Sequence, residues 1–159
     1  MRYFLTLVLI ISCFVTVYSQ QFFDPDADAE KQLRDALAEA KAENKHVFIE
    51  IGGNWCGWCL LFNQLITTDE EINNFINKNF VLIHVNYSKE NKNEKILKQL
   101  EYPQRFGFPV FVILNEDGKR LHTQNSGYLE EGKGHDRMKV LTFLQQWSPE
   151  ALNPELYNK

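Results

Sequence analysis

Cysteine is scarce in this sequence: three in 159 residues, one of them, Cys13, inside an apolar N-terminal run. That excludes a domain stapled by several scattered bridges. It also leaves no second cysteine pair to complete a zinc site, and His46, His84, His122 and His135 stand apart without a local ligand spacing. No histidine follows Cys59, where Leu60 stands instead, so c-type haem attachment is excluded as well. The chain has no internal repeat and no low-complexity tract. No Lys/Arg stripe offsets the formal charge of −4, which argues against a nucleic-acid partner.

What remains is the composition of an ordinary globular chain, 44% hydrophobic and 24% charged, at a length that favours one domain. Residues 1–19 read as a secretory signal peptide. Arg2 supplies the positive start, an apolar run follows, and Val17-Tyr18-Ser19 forms a cleavage site ahead of polar Gln20-Gln21. The run is short for a membrane span of ~20 residues. The alternative is lipidation at Cys13, since Ile10-Ile11-Ser12-Cys13 has the form of a lipoprotein box. The apolar stretch Phe14-Val15-Thr16-Val17 beyond it weighs against that. Cleavage after Ser19 leaves a single domain over 20–159 with only Cys56 and Cys59. A bridge closing so short a loop constrains the unfolded chain little, so its value is chemical rather than structural.

The remaining chain alternates helical and extended patterns. Asp24-Pro25 offers an N-cap with proline at the first helical position, then Leu33, Ala36, Leu37 and Ala40 recur at helical spacing as far as Asn44. Residues 47–51 form a β-branched and aromatic run closed by Gly52-Gly53. A helical pattern resumes at Cys56, and Thr68-Asp69-Glu70-Glu71 has the form of a capping box that opens the next helix at Thr68. Strands over 80–85 and 110–114, a helix around Ile96, Leu97 and Leu100, a hairpin return over 119–124 and a last helix from Asp136 complete the order αβαα-βα-ββα. This is an α/β sandwich with mixed strand directions. Asn86-Tyr87-Ser88 fits a glycosylation sequon.

The stretch Gly53-Asn54-Trp55-Cys56-Gly57-Trp58-Cys59 lies where a strand hands over to a helix. Helix starts present unpaired N–H groups and a positive dipole end, which lower a cysteine's pKa from about 8.5. Cys56, nearest that end, is the candidate nucleophile. Cys59, one turn further on the same face, can attack a mixed disulfide and release the reduced product. Half of a metal site and a purely structural bridge are the alternatives. Glu50 is a carboxylate within an apolar strand, where desolvation raises its pKa toward general-base range. The alternative is that Glu50 faces solvent at a strand edge.

The run 47–51 followed by Trp55-Cys56-Gly57-Trp58-Cys59 resembles the second strand and active-site turn of the thioredoxin superfamily. Phe106-Gly107-Phe108-Pro109-Val110 is similar to its cis-proline loop, the Asn115-to-Lys119 turn and Gly127 also fit, and the likeness covers about residues 31–147. The chain resembles exported bacterial thioredoxin-like proteins with an added N-terminal helix. The resemblance implies a three-layer α/β sandwich, a mixed central sheet flanked by helices. It implies that Cys56 attacks, Cys59 resolves and Glu50 assists proton transfer at Cys59. Pro109 would be cis, leaving the backbone of Phe108 to pair with an extended substrate. Trp55 and Trp58 would flank the thiols with apolar contact surface, with buried packing as the alternative for Trp55. Gly57-Trp58 between the cysteines, Leu60 after them and a stretch over 130–137 resembling an insertion depart from the family's familiar forms.

The expected function is disulfide exchange in exported proteins, periplasmic or secreted, with a reductase favoured over an oxidase. No organic cofactor or metal is implied. The implied partners are disulfide-bearing exported proteins and a redox partner, membrane-embedded in a bacterial host, that resets the pair. A monomer is expected. The rival is a redox-inactive binding module using the same surface for a peptide or partner domain; retention of both cysteines and of Glu50 weighs against it.

Overall fold

The first helix opens one turn later than its sequence signals suggest. A computed structural model describes residues 21–158, so the leader expected over 1–19 and Cys13 fall outside the described residues. Asp28, not Asp24, caps α1 (Ala29–Glu43): its Oδ1 accepts from the backbone N–H groups of Glu30 and Lys31 at 3.0 Å each. Both aspartates are competent caps. Asp24 instead accepts from the N–H of Asp26, and the carbonyl of Pro25 accepts from Asn91 Nδ2 (3.0 Å), which holds that proline in a turn. The helix ends at Asn44, which takes the left-handed conformation that asparagine tolerates (φ 54°).

Strand β1 (His46–Gly52) is buried along its whole length. It runs parallel to β2 (Phe80–Asn86) on one side and antiparallel to β3 (Val110–Leu114) on the other. The return strand β4 (Arg120–Asn125) gives the sheet order β2-β1-β3-β4. A strand covered on both faces has no polar side, which is why its sequence is a nearly unbroken apolar run. Alternation along β1 still sorts the side chains. Val47, Ile49 and Ile51 pack with Leu33, Ala36 and Ala40 of α1 and with Ile96 and Leu97 of α4 (Glu94–Gln99). Phe48 faces the opposite layer, formed by α2 (Gly57–Thr68), α3 (Glu70–Asn79) and α5 (Arg137–Gln146). Glu50 shares the parity of Phe48 and therefore points under α2. The mixed sheet between helical layers, preceded by an N-terminal helix, is the expected architecture.

The capping box at Thr68 does not form. Thr68 is the last residue of α2, its Oγ1 donating to the carbonyl of Gln64 (2.7 Å), and Asp69 alone separates the two helices. Asp69 serves as C-cap of α2 and N-cap of α3, accepting from Ile72 N–H (3.0 Å) and from Arg137 Nε at the start of α5 (2.6 Å). The stretch that resembles an insertion folds as a short ribbon, β5 (Glu130–Glu131) and β6 (Gly134–His135), whose last residue lies against α2. The sequon asparagine, Asn86, is buried with its amide donating to Ser88 Oγ and the Asn91 carbonyl, so it presents no acceptor for a glycan.

Phe48 sits at the centre of the second layer, with the rings of Phe62, Phe80, Phe111 and Phe143 each within 6.2 Å of its own. Phe48→Ala should lower the unfolding free energy by about 3–5 kcal/mol in a urea titration, the usual loss for a buried aromatic truncation. Exposed Tyr128→Ala should change it by less than about 0.5 kcal/mol. A small effect at Phe48 would contradict the packing described.

Candidate active site around the cysteine pair

Strand β1 delivers the site and two glycines make room for it. A Cβ on Gly52 would lie 2.5 Å from Cys59 Sγ and 3.2 Å from Phe23 Cζ, so the second sulfur rests directly on the bare backbone at the strand's end. A Cβ on Gly53 would strike the Trp55 indole at 2.4 Å. With hydrogen there instead, the indole crosses the backbone and donates Nε1–H to the carbonyl of Tyr87 (2.6 Å).

Cys56 is the N-cap of α2, and its Sγ accepts from the N–H of Cys59 (3.1 Å). The two cysteines form a disulfide across the first turn. Cys56 is 5% exposed and Cys59 is fully buried, so an incoming sulfur can reach only the first of them.

Glu50 lies beneath this turn with no exposed surface, so the solvent-facing alternative does not hold. Asn63 Nδ2 donates to both carboxylate oxygens, at 3.0 and 2.9 Å, and to the carbonyl of Cys59 at 2.9 Å. Those acceptors fix the orientation of the amide, leaving Oδ1 to face His84 Nε2 at 2.7 Å. Since Oδ1 only accepts, that imidazole nitrogen carries the proton. It also stands 3.3 Å from Glu50 Oε2. Burial pushes the Glu50 pKa above its ordinary 4.5, and hydrogen bonding and charge from His84, then the Asn63 bond, only partly oppose this.

Aromatic surface flanks the pair on two sides. Trp55 is 59% exposed, which removes the buried-packing alternative. Its edge meets Phe108 at 5.5 Å, and Phe108 stacks on Tyr87 at 4.8 Å. Beside them a groove of about 430 Å³ is lined by Trp55, Tyr87, Ser88, Lys89, Glu90 and Lys92. The Phe108–Pro109 peptide is cis. The pairing of β3 with β1 begins only at Val110, opposite Ile51. On the other side Trp58 packs against the cysteines and meets His135 edge-on at 5.6 Å. Burial lowers the pKa of His135, the nearby Glu130 opposing this in part, and neither ring nitrogen has a hydrogen-bond partner among the described residues.

The structure thus gathers Cys56, Cys59, Glu50, Trp55, Trp58, Phe108 and Pro109 at one end of the sheet. It adds Asn63, His84, Tyr87 and His135, which the motifs do not announce. Among the described residues no group of three or more His, Cys, Asp or Glu is placed to hold a metal ion.

The sequence model of the family described as Thioredoxin-like matches residues 28–116, more than half of the chain and both cysteines. The chain belongs to the thioredoxin-like family. It is similar to the disulfide bond reductase DsbH of Chlamydia pneumoniae, 25% identical over 96 residues that make up 55% of this chain and 56% of that protein. Spermatogenesis-associated protein 20 of Rattus norvegicus is 32% identical over 63 residues, 40% of this chain but 8% of that protein. The chain therefore spans about half, or far less, of these curated relatives. Among solved structures, a disulphide isomerase from Xylella fastidiosa Temecula1 superposes with a TM-score of 0.67 at 24% identity, over 77% of this chain and 93% of that one. That likeness establishes the thioredoxin fold.

The raised Glu50 pKa has a stability consequence. Between 4.5 and its elevated value the folded chain keeps a proton that the unfolded chain has released, so stability falls as pH rises through that window. Glu50→Gln has no such proton and should escape this part of the decline. Urea titrations at pH 5 and pH 7 should show the variant gaining on the wild type at the higher pH. Parallel behaviour would mean that the carboxylate's charged form is not penalised.

Proposed function

We propose that this protein is a thiol–disulfide oxidoreductase that reduces disulfides in exported proteins. The observation that carries this reading is the asymmetry of the pair: Cys56 caps a helix and keeps the pair's small exposed area, while Cys59 is sealed over a buried acid. In the reduced state the Cys56 thiolate attacks a substrate disulfide, one substrate sulfur leaves as a thiolate and takes up a proton, and a mixed disulfide remains. Cys59 then gives its proton to the Glu50 carboxylate and attacks Cys56 Sγ. The second substrate sulfur departs and is protonated in turn. Two cysteine thiols become one disulfide, one substrate disulfide becomes two thiols, and a separate dithiol partner must return the electrons.

Phe108, ahead of the cis proline and outside the strand ladder, offers backbone groups to an extended substrate. Trp55, Trp58 and the groove beside Tyr87 offer apolar contact. Export rests on the leader over 1–19, with the domain running from 20 to 159. The names of the relatives, a disulfide bond reductase and the thiol:disulfide interchange protein DsbD of Vibrio cholerae, support disulfide chemistry in this chain.

The surroundings of the thiol support the reducing direction. Phe23 packs with the pair, and Phe22, Trp58 and Phe108 pack against them; such neighbours disfavour a thiolate. His135 comes near through Trp58, but burial disfavours its charged form. The helix start is then the main stabiliser of reduced Cys56.

Two measurements check the proposal. Cys59→Ser should accumulate mixed disulfides through Cys56 while Cys56→Ser traps none; equal trapping by both would overturn the assignment of roles. Equilibration with glutathione buffers should place the couple near the thioredoxin value of about −270 mV, and a value more oxidising than about −180 mV would reject the reductase reading.

A further inference from the structure

The residues immediately ahead of the first helix are built into the redox site. Asn54, two positions before Cys56, accepts on Oδ1 from the backbone N–H groups of Phe22 and Phe23 at 3.2 Å each. It donates from Nδ2 to the carbonyl of Phe23 at 2.6 Å. One side-chain amide therefore pairs with this backbone as a neighbouring strand would. A second latch lies two residues beyond Phe23, where Asn91 Nδ2 donates to the carbonyl of Pro25 (3.0 Å).

What the latch holds down is Phe23, which is fully buried in a cluster with Cys56 and Cys59. Its ring reaches 3.2 Å from where a Gly52 Cβ would stand, beside the space that Cys59 Sγ occupies. It also meets the His84 imidazole edge-on at 5.3 Å, and Phe22 covers the same imidazole at 6.1 Å. The strap thus touches both the buried sulfur and the histidine that contacts Glu50.

Resting on the reading of Cys59 as the resolving thiol, we propose that the Phe22–Phe23 strap, latched by Asn54, is a positioning element of the redox site. It closes water off from Cys59 and covers the Glu50–Asn63–His84 group, of which only His84 keeps some exposure (21% of its side chain), so that proton exchange at Cys59 runs through those side chains rather than directly with bulk solvent. The ionisable groups facing this space are Glu50 from β1 and His84 from β2; α2 contributes no charged side chain, and His135 of β6 stands on the far side of Trp58 and Phe62. A thiol so enclosed is slow to react with a small reagent, and its reaction follows the opening of the strap.

The test uses the full chain carrying Cys56→Ser, with iodoacetamide labelling of Cys59 read by mass spectrometry of its own peptide between pH 6 and pH 10. Adding Asn54→Ala removes three hydrogen bonds from a half-buried loop position and should accelerate Cys59 labelling roughly tenfold or more while moving its pH midpoint toward that of a free thiol. Phe23→Leu, which keeps apolar bulk but not the ring's reach, should produce a smaller change in the same direction. Unchanged rate and midpoint in both variants, with far-UV circular dichroism matching the parent, would overturn the proposal. The outcome is independent of turnover: a wild type that reduces no protein disulfide would remove the enzymatic reading, whereas labelling that responds to Asn54→Ala would still support the strap.

Discussion

Asn63 directs a single amide at both oxygens of Glu50 and at the carbonyl of Cys59, and the arrangement of the site depends on that contact. An isolated carboxylate without access to water is expensive to bury, and the cost falls only if hydrogen bonds or charge replace the lost solvent. Asn63 supplies the hydrogen bonds, and His84 supplies a proton-bearing nitrogen at the carboxylate's edge. Because the same amide grips the backbone of Cys59, the register between β1 and α2 cannot slip without unpairing a buried acid. The acid and the second cysteine are thus held together by the same few atoms.

This contact also explains the glycines at the strand's end. With the first turn of α2 drawn onto β1, Cys59 Sγ has no room beyond a bare Gly52. The indole of Trp55 in turn has no path to Tyr87 except across Gly53. Both residues are demanded by close approach, since neither takes a positive φ. In the sequence the pair Gly52-Gly53 reads simply as the end of a strand, a correct boundary whose cause lies elsewhere.

The layered fold, the cysteines and Glu50 were legible because each belongs to a continuous stretch whose pattern carries its own meaning, whereas Pro109 was legible only through the resemblance of Phe106-Gly107-Phe108-Pro109-Val110 to the thioredoxin cis-proline loop. Asn63 had a weaker signal, as a polar residue one turn after Cys59 on a face that continues with Ile66. His84 had none, because its meeting with Glu50 depends on the parallel register that sets those two residues opposite each other across β1 and β2. His135 depends on a ribbon of two-residue strands too short to show a period. The boundary errors have one origin. Asp24 and Asp28, or Thr68 and Asp69, are equally able caps in isolation, and tertiary contacts at Pro25 and Arg137 decide between them.

The two histidines near the cysteines divide the electrostatics of the site. His84 is turned inward, its proton-bearing nitrogen committed to Asn63 and close to Glu50, so its influence is exerted on the acid behind Cys59. His135 lies across Trp58, where burial disfavours its charged form and the ring nitrogens find no partner among the described residues. A cation facing Cys56 would stabilise its thiolate and drive the couple toward oxidation of substrates. Here burial disfavours the charged form of the histidine on that side, while the other sits with the group proposed to take up the Cys59 proton. On the reductase reading proposed above, that division suits closure of the protein's own disulfide over a long-lived thiolate.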